Sequence, residues 1–129
     1  MSYPELLSAE EKLADAKRRL NIPRITVICG STRFWQAMAD AAWTETLAGR
    51  IVVRPDVDMK RPGDGYTDAQ AVKVDLDELH RAKIRLADEV LVVGDYIGQS
   101  TTAEIAYARS LGKPVRFTHP HVDPAAVAA

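Results

Sequence analysis

The run "DEVLVVGDYIGQSTTAEIAYARSLGKPVRFTH", residues 88–119, decides the architecture. Its first part, 88–95, is apolar at consecutive positions, the pattern of a strand covered on both faces. A loop with a glycine and several hydroxyls leads into 101–111, which reads as a helix of mostly small apolar side chains. "LGKP" closes that helix, because Gly112 stands just past it and Pro114 cannot extend it. A second short strand, 113–119, follows. Strand, helix and strand in this order make a parallel unit with a right-handed crossover.

The same alternation extends toward the N-terminus. Residues 24–30 ("RITVICG") and 50–56 ("RIVVRPD") read as strands, and 33–48 and 68–87 as helices. The expected fold is α/β, a small flavodoxin-like or Rossmann-like parallel sheet of about four or five strands with helices on both faces. Residues 4–20 add an amphipathic helix with Leu6, Ala9, Leu13, Ala16 and Leu20 on one stripe. That stripe is expected to dock on its own domain or on a dimer partner, since two heptads hardly support a long coiled coil.

Composition narrows the function classes. The chain has 129 residues, 47% hydrophobic and 27% charged, which suits one domain with a single core. A net charge of −1 gives no field for polymeric nucleic acid or an anionic membrane. Apolar runs such as "VLVV" are too short to span a bilayer. The first twenty residues carry acids and lack the apolar core of an export signal, so the expected address is the cytoplasm. Cys29, the single cysteine, excludes an internal disulfide and reads as a buried strand residue. His80, His119 and His121 show no metal-ligand spacing with Cys29, so neither a metal nor a cofactor is expected.

In open parallel sheets ligands gather beyond the carboxyl ends of the strands. Three loops should meet there: "GSTR" at 30–33, 56–68, and "DYIGQSTT" at 95–102. Gly30 permits a tight turn, Ser31 or Thr32 can cap the next helix, and Arg33 can add donors for an anion. An ordinary capped helix with a surface arginine accounts for the same residues. The loop 56–68 carries Asp58, Lys60, Arg61, Asp64, Tyr66 and Asp68, and suits either a lid or a solvent loop. Glu104 has two readings. Thr101-Thr102-Ala103-Glu104 spells the S/T-x-x-E capping box, in which Glu104 would turn back to its own backbone. Alternatively, a carboxylate beside Ser100, Thr101 and Thr102 at the mouth of an apolar helix would face the ligand crevice.

Three strings, "CGSTRF" (29–34), "LHRAKIRLADE" (79–89) and "YIGQSTTAEIAYA" (96–108), together resemble the nucleoside 2-deoxyribosyltransferase-like superfamily. The resemblance runs from about residue 24 to 117, and its last block is the most specific. The family includes the transferases and related nucleotide N-glycosidases. By resemblance Glu104 is the nucleophile that attacks C1′ of a nucleoside or nucleoside 5′-monophosphate, with hydrolysis or transfer to follow. Gly98, Ser100 and Thr101 would then sit around the sugar, the two hydroxyls binding its 5′ end. The family's acids are missing at two positions. His80 stands where transferases carry an aspartate, and Gly98 stands where they carry another, leaving Asp95 as the nearest acid. His80 can move a proton near neutral pH, or can serve as a helix residue pairing with Asp77 or Lys83. The family also implies a homodimer.

Two other readings stay open. "GQSTTAE" shares T-x-x-E with the lysine-decarboxylase-like phosphoribohydrolases but lacks their glycine-rich "PGG". A non-catalytic nucleotide-binding or signal-sensing module on the same fold would need only a capping-box Glu104. Whether Glu104 faces a pocket or its own backbone separates the classes.

Overall fold

A computed structural model describes residues 6–56 and 69–127. The loop expected at 56–68 therefore lies, apart from Asp56, outside the described residues. Four strands, β1 (Ile25–Cys29), β2 (Ile51–Val53), β3 (Glu89–Val92) and β4 (Val115–Phe117), form one sheet in the order β2-β1-β3-β4. All three pairings are parallel, with Thr26 beside Glu89, Ile25 beside Ile51 and Val90 beside Val115. The expected α/β fold with four parallel strands is the observed one. The strands are shorter than the expected spans, which took in flanking charged, glycine and proline residues that lie outside the ladder.

Helices α2 (Trp35–Leu47), α3 (Ala69–Leu86) and α4 (Gln99–Ser110) cover the two faces. On one face Ile25, Val27, Cys29, Val90 and Val92 pack with Ile84, Ala87, Ile105 and Ala108 beneath α3 and α4. On the other, Ile28, Leu91 and Val93 meet Met38 of α2. Every residue of β1 and β3 is buried, so the unbroken apolar runs have their physical cause in helices on both sides.

Helix α1 (Ala9–Arg19) opens on a capping box in which Ser8 accepts from the Glu11 N–H and Glu11 accepts from the Ser8 N–H. It docks through polar contacts: Lys17 Nζ donates to the Leu86 carbonyl at 3.0 Å and to Asp88 at 2.7 Å. Its apolar stripe is not buried, and Leu6, Leu13 and Leu20 stay exposed. The C-terminal segment forms a 3-10 turn at Pro120–Val122 and the short α5 (Pro124–Val127). Asp123 holds it to α4 by two 2.9 Å bonds from Arg109. Among the described residues no helix is long and apolar enough to cross a membrane.

The chain leaves β1 for β2 on one side and crosses back to β3 on the other, so strand order reverses between β1 and β3. The loops after Cys29 and Val92 open at this point. Two glycines let them approach. Gly30 has φ +153°, and a Cβ there would lie 2.6 Å from the Val93 carbonyl oxygen. Gly94 has φ +109°, and a Cβ there would overlap the Phe34 ring.

Candidate functional site

At the switch point the structure opens a cavity of about 730 Å³, within the range of small-molecule sites (roughly 300–1,000 Å³). Gly30, Ser31, Thr32 and Arg33 line one wall, Gly98, Ser100 and Thr101 another, and His80 and Glu104 the floor. Nine of the ten candidate site residues thus converge. Asp95 does not: it is exposed and stands outside the lining, because its loop turns outward after Gly94. Pro55, Lys73, Leu76, Asp77, Tyr96 and Gln99 also line the cavity and were not singled out as site residues. Lys73, Leu76, Asp77 and His80 recur at helical spacing along α3, so the position of His80 already implied its neighbours.

The walls differ in kind from the expected capped helix. After Gly30 a 3-10 turn, Thr32–Phe34, comes first, capped by Ser31, which accepts from the Arg33 N–H at 3.4 Å. Helix α2 starts behind it with Phe34 as N-cap and no side-chain cap, so the helix start expected directly after "GSTR" is displaced by that 3-10 turn. Arg33 instead lies over the Tyr96 ring, 4.2 Å from its centroid. The helix N-terminus that does face the cavity is that of α4. Gly98 is its N-cap without a side-chain bond, and Gln99, Ser100 and Thr101 supply first-turn backbone N–H groups.

The capping-box reading of Glu104 is overturned. Helix α4 begins at Gln99, two residues before Thr101, so Thr101 lies inside the helix and is buried. Glu104 is then in the second turn, out of reach of any N-cap N–H, and its carboxyl points with Ser100 and Thr101 toward the cavity. The other S-x-x-E of the chain, Ser8 to Glu11, forms the box because its helix starts directly after the serine.

His80 is not paired with Asp77 or Lys83. Asp77 accepts from Lys73 at 2.8 Å, and Lys83 donates to the Arg54 carbonyl at 2.8 Å. His80 Nε2 lies 3.2 Å from Cys29 Sγ and 3.4 Å from Glu104 Oε2. Three elements therefore meet: the end of β1, the middle of α3 and the second turn of α4. Cys29 is fully buried and His80 is 7% exposed.

Burial sets the charges. It lowers His80 to about 4, with Lys83 adding to the effect. It raises Glu104 to about 7, against the opposing pull of the Cys29 thiol. It also pushes the Cys29 thiol well above its usual value, and the Glu104 carboxylate adds to that. The close His80–Glu104 contact is therefore no ion pair: between these two values both groups are neutral. Near neutral pH the imidazole is uncharged and the carboxyl is divided between its two forms. Among the described residues, His80 Nδ1 and Glu104 Oε2 have no hydrogen-bond partner. The donor set of thiol, imidazole and carboxyl can hold a carboxylate in place, pass a proton, or ligate a cation.

Comparison of the chain with protein-family models, with curated proteins and with solved structures finds no match.

Proposed function

We propose that the chain cleaves the N-glycosidic bond of a nucleoside or nucleoside 5′-monophosphate, with Glu104 as nucleophile. The observation that carries this is the Glu104 carboxyl: it is released from any capping role and set in a cavity at the strand-order switch, beside a helix N-terminus that suits an anion. A Glu104 oxygen attacks C1′, the C1′–N bond breaks, and its electron pair leaves with the base, which takes up a proton from solvent water. The glycosyl ester so formed is opened by water, which completes hydrolysis, or by a second base, which completes transfer. Arg33 and Ser100, with the first-turn N–H groups of α4, would hold the 5′ end, and the Tyr96 ring offers a stacking face.

The proposal gives His80 a positioning role. A neutral imidazole packed against Glu104 fixes the attacking carboxylate but is a poor acid for the leaving base. The proposal includes a homodimer, supported by the exposed Leu13 and Leu20 of α1 and Trp43 and Leu47 of α2. One observation favours the non-catalytic nucleotide-binding module as a second reading: Asp95 stands outside the cavity and His80 is neutral, leaving no unpaired acid opposite Glu104 among the described residues. Release of free base from a panel of ribo- and deoxyribonucleosides and their 5′-monophosphates separates the two. Release by the wild type, lost in Glu104→Gln, supports catalysis. Binding of a nucleotide with no release across the panel supports the module.

A further inference from the structure

Cys29, His80 and Glu104 come from three different elements, yet their ligand atoms lie within 4.8 Å of one another. A tetrahedral Zn²⁺ site with metal–ligand distances of about 2.0–2.3 Å places its ligand atoms roughly 3.3–3.6 Å apart. The observed 3.2 Å from Sγ to Nε2 and 3.4 Å from Nε2 to Oε2 are close to that spacing. One nitrogen, Nε2, faces both the sulfur and the carboxyl, as a ligating imidazole must. Nδ1 makes no hydrogen bond among the described residues, so nothing described there holds the ring from its other edge. Glu104 Oε2 is likewise a buried oxygen without a hydrogen-bond partner there. This carboxyl oxygen lacks the partner that a purely structural cluster would give it.

We propose that Cys29 Sγ, His80 Nε2 and a Glu104 carboxylate oxygen form a binding site for Zn²⁺ or a similarly thiophilic divalent cation, with the fourth position open to the cavity. The donor chemistry selects the ion. A sulfur ligand disfavours Mg²⁺ and Ca²⁺, and sulfur with imidazole and one carboxylate suits zinc. Three protein ligands and one open position is the arrangement of an exchangeable or catalytic site rather than a closed structural one. His80 and Glu104 line the cavity and Cys29 lies behind them, so an ion enters from the cavity side. On binding, the thiol proton, and that of Glu104 when it is protonated, are released to solvent. The cation and a sugar on Glu104 exclude each other, so zinc would inhibit base release; this last clause rests on the proposed glycosidase activity, while the site itself does not.

The test is a Co²⁺ titration of the chelator-treated full chain, read by absorption. The expected result is saturation at one equivalent, with strong visible bands of a tetrahedral ion and a near-ultraviolet thiolate-to-cobalt band, both bleached by Zn²⁺. Cys29 is the single cysteine of the chain, so a one-to-one thiolate band has one source even if Cys29→Ser fails to fold. Glu104→Gln, which keeps the shape of the floor, should retain that band and bind at least ~10-fold more weakly. A weak octahedral spectrum without a thiolate band overturns the site, as does a band of unchanged affinity in Glu104→Gln. Base release by chelated enzyme without a cobalt band sinks the metal site alone. A cobalt band without base release sinks the glycosidase alone.

Discussion

A carboxylate's meaning depends on where its helix begins. Read alone, Thr101 to Glu104 and Ser8 to Glu11 are the same cap motif, and only the second is one. Gly98 makes the difference by starting α4 early, which a local four-residue pattern does not reveal. His80 was legible as a site residue through the resemblance, but its contact with Cys29 was not, since fifty-one positions separate them and only the packing of α3 across β1 joins them. As a positioning group, His80 should act on turnover more than on binding. His80→Asn is expected to lower kcat by about 10²-fold with KM little changed, since a misplaced attacking group costs about that much. His80→Gln, whose amide reaches further toward Glu104, should recover part of the loss. Equal changes in kcat and KM, or no recovery, would count against the role. Arg33→Ala should weaken 5′-monophosphates roughly 10-fold more than nucleosides, the worth of one charge-assisted bond. Equal losses for both would assign Arg33 to its Tyr96 stack instead.

The elements themselves were read with little error from consecutive apolar positions and from Gly and Pro punctuation. Their ends were not, because burial continues past the last paired residue: Val93 and Gly94 follow β3 and are buried outside it. The site depends on two of these ends approaching each other. Gly30 is where the β1 end passes the backbone of Val93, and no side-chain adjustment can relieve a Cβ placed 2.6 Å from that carbonyl oxygen. Gly30→Ala should therefore cost roughly 1–3 kcal/mol in urea unfolding and widen the crevice. An unchanged midpoint would mean that the β1 and β3 ends are not held this closely. The "GSTR" turn shows the opposite limit of the sequence: its residues reach the cavity as expected, but as a 3-10 turn rather than a helix start. The next residue, Phe34, packs its ring against Gly94, a contact that no short-range pattern predicts.

For the whole molecule, fold class was legible in the strand alternation, whereas the strand order that places the switch point was not. The docking of α1 was invisible because it runs through charge. The apolar stripe suggested docking on the domain or on a dimer partner; onto the domain it is Lys17 and Asp88 that make the contact, and the stripe stays exposed. Burial alone would raise Asp88, but the bonds from Lys17 and the Ile25 N–H hold its carboxyl below the usual range. A depressed folded value means that Asp88 stabilises the fold above its unfolded pKa of about 3.9, and that this is lost as pH falls through the folded value. Asp88→Asn should cost roughly 1–3 kcal/mol at neutral pH and flatten the acid limb of stability against pH. Identical limbs for the two proteins would remove Asp88 from the account. Intact-protein mass after an acid quench during turnover reads whether Glu104 carries the sugar. The expected result is a mass increase equal to one glycosyl group, mapped by peptide analysis to the segment holding Glu104 and absent from Glu104→Gln. An active enzyme with no such adduct, or one with the sugar on another residue, would contradict it.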